Sequence, residues 1–299
     1  MSWRRDGAVL ALAVLAFTAA IVLQMARDRW YPRDERQLEQ VLYVRSGAAL
    51  QRMTLEFDAL AADVYWIRAI QHYGGDRLAG PQAGLKYRLL YPLLDLTTTL
   101  DPYFNIAYRF GSIFLSEAYP GGPGRPDQSV ALLRKAISAM PHKWQYYHDI
   151  GFVYYWRLRD YKSAALWFQR AAVQPNAPNW LAPLAASMLV HGNDRTAARF
   201  LWQQIAKSEE PWLRRNAEHA LLQLQALDQM EQLEAVIHRF PPAGAEQYSW
   251  NALVGKGVLL RVPFDPTGTP YEIDPATGRV RVSERSPLFP MPEEPRRLR

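Results

Sequence analysis

The chain has 299 residues, 49% hydrophobic, 12% aromatic and 21% charged, which is too apolar for a disordered polymer and enough for one large or two small domains. Lys and Arg number 35 against 29 Asp and Glu, a formal charge of +6 that allows contact with acidic lipid or protein but falls short of a nucleic-acid-binding face. With no cysteine, disulfide frameworks, thiolate zinc sites, cysteine nucleophiles and iron–sulfur ligation are excluded.

Residues 1–31 read as a tail and a membrane anchor. Gly7 to Ala26 carries no charge, and as a helix these twenty residues span about 30 Å, the thickness of a bilayer core. Trp3 on one flank and Trp30 and Tyr31 on the other stand where an aromatic belt sits. The alternative is a cleaved signal peptide, with Arg4 and Arg5 as its basic start and Ala19 and Ala20 near its cleavage site. The apolar run continues through Ile21, Val22 and Leu23, longer than a signal core, so an uncleaved single-pass anchor is expected. The orientation expected is N-terminus inside, with the bulk of the chain periplasmic or otherwise extracytoplasmic on the inner membrane.

Residues 32–100 read as a helical region. Asp58 to Tyr73 predicts a helix with Leu60, Val64 and Ile67 on a buried stripe. Asp63 then lies among apolar neighbours and needs a partner such as Arg68 or a backbone amide. Asp95 to Thr99 closes the next helix, and Asp101-Pro102 opens another with proline in its first turn.

Residues 101–240 repeat. Pro141 and Pro175 are 34 residues apart. Ser129, Leu133 and Ala136 precede the first; Ala164, Phe168 and Ala171 precede the second. The preceding helices carry Phe110-Gly111 with Phe114, and Ile150-Gly151 with Tyr154. Leu184-Ala185, Met188, Gly192, Ala197 and Leu201 form a third, weaker unit whose proline is displaced to Pro211, and Trp212 to Phe240 is expected as a fourth, capping helix pair. The second unit has one extra residue near Leu158 to Asp160, and the first a longer insertion from Tyr119. This pattern resembles the tetratricopeptide repeat (TPR), and AADVYWIRAIQHYG is similar to a segment of bacterial membrane-anchored TPR proteins of unassigned role. The resemblance implies an all-α, TPR-like helical solenoid whose groove takes a protein partner. Most of the abundant aromatics are expected in the core. The residues singled out for partner contact are Tyr108, Trp144, Tyr147, Tyr155, Trp180 and Trp202.

Residues 241–299 change character. Trp250 to Gly257 predicts a short helix ending at glycine. Asp265-Pro-Thr-Gly268 and Asp274-Pro-Ala-Thr-Gly278 predict turns, the second joining two short strands in a hairpin before a Pro-rich tail. LVGKGVLLRVPFDPTGTPYEI is similar to the C-terminal part of type II secretion major pseudopilins. Thr267 replaces the aromatic usual after the proline, and the prepilin signature is missing, so a shared turn is the expectation.

No phosphate loop, dinucleotide glycine fingerprint or nucleophile elbow is present. The six histidines are scattered; His142 and His148 lack the four-residue step of a helical metal pair. The sequence therefore predicts a non-enzymatic, cofactor-free and metal-free scaffold in the cell envelope, binding protein through its groove and membrane through its N-terminus, with no nucleic acid. Alternatives are an accessory factor of a pilus, secretion or transport machine, or an envelope enzyme or ligand-binding subunit.

Overall fold

Apolar-periodic stretches punctuated by proline, glycine and left-handed residues give, among the described residues, a mostly helical fold with one small hairpin. A computed structural model describes residues 15–23, 25–26, 29, 47–79, 86–242 and 247–293. Of the expected anchor, residues 7–14 and 24 lie outside the described residues; 15–23 are helical and exposed. Among the described residues no helix is long and apolar enough to cross a membrane.

The first of two compact units comprises residues up to His72 together with Tyr87–Asp101. It contains α1 (Gly47–Met53), most of α2 (Asp58–Leu78) and α3 (Leu90–Leu100). Leu90, Leu93, Leu94, Leu96 and Leu100 of α3 are buried. Its three successive threonines return their hydroxyls to Leu93, Leu94 and Asp95 carbonyls one turn earlier, which lets Thr97 and Thr98 be buried without orphaned oxygens. α1 approaches α3 closely. A Cβ on Gly47 would stand 2.6 Å from the Thr99 methyl, and Gln51 Nε2 donates to the Thr99 carbonyl at 2.8 Å.

The structure reverses the expected face of α2. Ala62, Tyr65 and Ala69 are buried, while Leu60, Val64 and Ile67 are exposed. Both sets recur at helical spacing, and the alanines permit the closer approach to neighbouring backbone. Asp63 is exposed rather than buried, so it carries no desolvation burden.

The second unit holds Tyr73–Lys86 and Pro102–Arg299. Its helices are α4 (Asn105–Ser116), α5 (Pro126–Ala139), α6 (Trp144–Val153), α7 (Tyr161–Ala172), α8 (Leu181–His191), α9 (Arg195–Ile205), α10 (Pro211–Ile237) and α11 (Trp250–Gly255). From α4 to α10 each helix packs on the next. α4 starts at Asn105, later than the Asp101-Pro102 signal, because residues 102–103 form a turn first. Asp160 and Asp194 cap α7 and α9 by accepting from the Ser163 and Ala197 amides, each at 3.0 Å. Asn176 and Asn193 take left-handed conformations in the turns before α8 and α9.

Ser129, Leu133 and Ala136 of α5, and Ala164, Phe168 and Ala171 of α7, face the core. The third unit holds a different register from the one expected. Ala198, Trp202 and Ile205 are buried, each 34 residues beyond its α7 counterpart, while Ala197 and Leu201 are half-buried. The extra residue of the second unit is absorbed in a π-helical turn, Tyr154–Leu158, ended by left-handed Arg159. The expected capping pair is one continuous helix, α10, because no glycine or proline interrupts residues 212–237.

α10 serves two cores. Leu213, Ala217, Leu224 and Leu227 belong to the α7–α9 cluster, while Ala226 and Ile237 join Leu253, Tyr271, Val280, Val282 and Leu288 in a second. β1 (Glu272–Ile273) pairs antiparallel with β2 (Val280–Arg281), Glu272 opposite Arg281. The Asp274 turn joins them: its Oδ1 accepts from the Ala276 and Thr277 amides, and Gly278 is left-handed. The C-terminal segment docks back on α10. Glu234 accepts from the Val280 amide, Tyr271 donates to Gln229, and Gln223 donates to the Leu288 and Pro290 carbonyls.

Candidate functional site

The most distinctive surface of the second unit is a run of mutually packed, partly exposed rings on α6 and the turn that follows. One face of α6 is committed inward: Tyr146, Ile150, Gly151 and Val153 are buried. Gly151 fixes that orientation, since a Cβ there would stand 2.6 Å from the Phe168 ring of α7. The rotation that seats Gly151 on Phe168 leaves Trp144, His148, Phe152 and Trp156 at four-residue steps on another face.

Their rings form a continuous ladder. Trp144 lies 6.0 Å from His148, His148 6.4 Å from Phe152, and Phe152 stacks on Trp156 at 6.3 Å with planes 9° apart. Trp180, at the start of α8, stands edge-on to both Trp144 and His148, at 6.1 and 5.6 Å. At the other end Tyr155 touches Phe152, Trp156 and Tyr161, and Tyr161 touches His191. Phe152, Trp156 and Trp180 remain 44–47% exposed. Each ring is held by its neighbours yet presents an uncovered face, so little side-chain entropy is left to lose on contact.

Charge is organised beneath and beside the ladder. Asp149, next to His148, accepts a bidentate pair from Arg109 of α4 at 2.6 and 3.2 Å and lies 3.1 Å from His148 Nδ1. The hydrogen bonds to Asp149 raise the Arg109 guanidinium above its ordinary pKa despite its partial burial. Burial, helped by the charge of Arg109, pulls the Lys143 ammonium below its usual value; this ammonium lies 5.4 Å from the Tyr146 ring. At the far end the Arg159 guanidinium lies over the Trp156 ring at 5.5 Å.

Of the residues singled out from sequence, Tyr108 and Trp202 are corrected to core positions, fully or nearly buried. Tyr108 is edge-on to buried Tyr146, and Trp202 fills the α7–α9 cluster. Trp144 and Tyr155 are half-buried ladder members, and Trp180 is exposed in it. Tyr147 lies apart from it, beside Trp167, a ring that carries the guanidiniums of Arg134 and Arg170. Sequence reasoning missed His148, Phe152 and Trp156 as members. Their signal was the unbroken four-residue spacing from Trp144, hidden among the other aromatics.

Among the described residues no group of His, Asp and Glu is arranged to hold a metal. A hollow at the Trp144 end of the ladder, lined by Met140 to Gln145 with Pro175 and Asn176, is open. What the arrangement can do is cover apolar side chains. No family model, curated protein or solved structure matches this chain.

Proposed function

We propose that this protein is a membrane-anchored, TPR-like scaffold of the bacterial cell envelope that holds a protein partner on the aromatic ladder of α6 and α8. The observation that carries the reading is the ladder itself: rings fixed by one another, with Phe152, Trp156 and Trp180 nearly half exposed. Covering the free area of those three rings removes roughly 250–300 Å² from water, worth about 6–8 kcal/mol gross. Association entropy consumes much of that, so affinity on the order of micromolar is expected, without metal or nucleotide. The 34-residue recurrence of small and large core residues in α7 and α9, and the close seat of Gly151 on Phe168, support the TPR-like assignment.

The test is site-specific photo-cross-linking in cells. With p-benzoylphenylalanine replacing Phe152 or Trp156, a discrete protein adduct is expected that weakens when Trp180→Ala is added. The same probe at exposed Phe200 of α9 should give no such band. No adduct at either ladder position, or an equal one at position 200, would defeat the proposal.

The apolar run Gly7–Ala26 supports the anchor, with the folded units outside the cytoplasm. The full chain is expected to stay with membranes through a high-salt wash, because screening charge does not strip about twenty apolar residues from lipid. A soluble mature form beginning near Ala20 would identify a signal peptide instead.

A further inference from the structure

Among the ladder rungs Trp144, His148, Phe152 and Trp156, His148 alone has a ring nitrogen able to accept a hydrogen bond. Its two nitrogens have different surroundings. Nδ1 lies 3.1 Å from Asp149 Oδ1. That carboxylate takes both arms of the Arg109 guanidinium, at 2.6 and 3.2 Å, and is ionised. An ionised carboxylate only accepts, so Nδ1 carries the proton. One guanidinium already balances this one carboxylate, and the imidazole joins the pair as a neutral donor. Nε2 is then a bare lone pair.

The fold leaves that lone pair to solvent. Among the described residues, the one buried side-chain nitrogen or oxygen without a partner is Asn105 Oδ1. Nε2, which bonds to no described residue, therefore reaches the surface, and the His148 side chain is 22% exposed. Its setting is otherwise made of rings: Phe168 at 5.5 Å and Trp180 at 5.6 Å, besides Trp144 and Phe152. While water reaches it, an acceptor there costs little. A purely apolar cover would remove that water and strand the lone pair, a loss of roughly tenfold or more in affinity. Among the described residues no second ligand joins it to hold a metal.

We infer that the protein segment held on the ladder places a neutral N–H or O–H donor on His148 Nε2, between apolar side chains that cover Phe152, Trp156 and Trp180. The inference rests on the ladder as the partner site and adds the chemistry of one contact to it. The donor is neutral because the carboxylate beside His148 is already matched by Arg109, and because the Arg159 guanidinium over Trp156 repels a second cation. Arg109 and Asp149 are positioning residues, which decide the nitrogen that meets the partner. The contact marks register on a row of rings that would otherwise take any apolar segment.

Two measurements test this. The first needs no partner. In the full-length protein labelled with nitrogen-15 histidine, the signals of His148 are those lost among the six histidines in His148→Phe. At neutral pH they should show Nδ1 protonated and Nε2 bare. A proton on Nε2, or on both nitrogens, overturns the inference. The second is the cross-link in cells with p-benzoylphenylalanine at position 156, two helical turns from the substituted ring. His148→Phe adds apolar area, so apolar cover by itself would strengthen the adduct; the expected result is a loss of about tenfold. His148→Gln, whose amide oxygen can stand near the place of Nε2, should keep several-fold more adduct than His148→Phe. An adduct undiminished in His148→Phe overturns the inference and leaves the ladder as the partner site. Equal loss in both variants marks a packing role and overturns it as well. No adduct in the otherwise unaltered protein, at 152 or 156, defeats the ladder and the inference together.

Discussion

Replacing Gly151 by leucine is expected to lower stability by about 3 kcal/mol or more, and replacing it by alanine by about 1–2 kcal/mol. The alanine variant decides between two opposed effects. Within a helix, Gly→Ala ordinarily gains about 1 kcal/mol through reduced backbone entropy. Here the new Cβ would stand 2.6 and 2.7 Å from two carbons of the Phe168 ring. Phe168 is 1% exposed in a core shared with Ala164, Ala171, Ala185 and Trp202, so the ring has nowhere to swing. Overpacking should outweigh propensity. Ala171→Leu, at a fully buried position of the same cluster, should cost a similar amount. Thermal or urea unfolding measures both. A Gly151→Ala protein that melts above wild type would mean that α6 and α7 do not touch as described.

Asp265→Ala should cost about 3 kcal/mol and act locally, on residues 260–290. The carboxylate is 5% exposed and gathers four donors. Oδ1 accepts from the Thr267 amide and hydroxyl and from the Thr269 amide, at 2.7–3.0 Å. Oδ2 accepts from Ser286 Oγ at 2.5 Å, tying the turn to chain 21 residues onward. Removing the acceptor strands several buried donors at once. Hydrogen exchange followed by mass spectrometry should show this segment losing protection while α5 and α7 keep theirs. Unchanged protection would show that the turn holds itself.

The same residue sets a pH dependence. Burial alone would raise its pKa, but the hydrogen bonds from Ser286, Thr267 and Thr269 outweigh that and hold it below the ordinary carboxylate value. A depressed folded pKa contributes stability that is present above the unfolded value, near pH 4, and lost as pH falls through the folded value. Protection of residues 260–290 should therefore decline below about pH 4 in wild type, and less steeply in Asp265→Asn.

The legible parts of this fold were those where one residue type answers one local demand. Asp274 and Gly278 supply the acceptor and the left-handed residue of the hairpin turn, so β1 and β2 lie where those residues put them. Pro141 and Pro175, 34 residues apart, fall in the turns that follow α5 and α7. What failed were choices between faces. α2 carries two apolar stripes, and hydrophobicity alone prefers Leu60, Val64 and Ile67. The fold buries the smaller set because Ala62 and Ala69 let neighbouring chain come close. The third repeat slipped by one residue because Ala197 and Ala198, like Leu201 and Trp202, are adjacent residues of similar type. Aromatic identity did not distinguish core from surface either: Tyr108 and Trp202 went inside while Phe152 and Trp156 stayed out. Packing between helices, above all the contact between Gly151 and Phe168, fixes which face of α6 looks outward.

The double membership of α10 bears on how the second unit comes apart. Stacked helical arrays fray from their terminal helices, because an end repeat has a neighbour on one side only. Here the last helix has a second neighbour: its C-terminal half is overlaid by the hairpin, by α11 and by the Leu288 segment, which Gln223 holds. The C-terminal end of the array therefore behaves as a clamped end. Opening α10 requires two apolar clusters to be given up together, which merges them into one cooperative block. Deleting the last fifty residues would do more than trim an appendage. It would uncover Ala226 and Ile237, turn a clamped end into a frayed one, and let local opening spread inward through α9 toward the aromatic ladder.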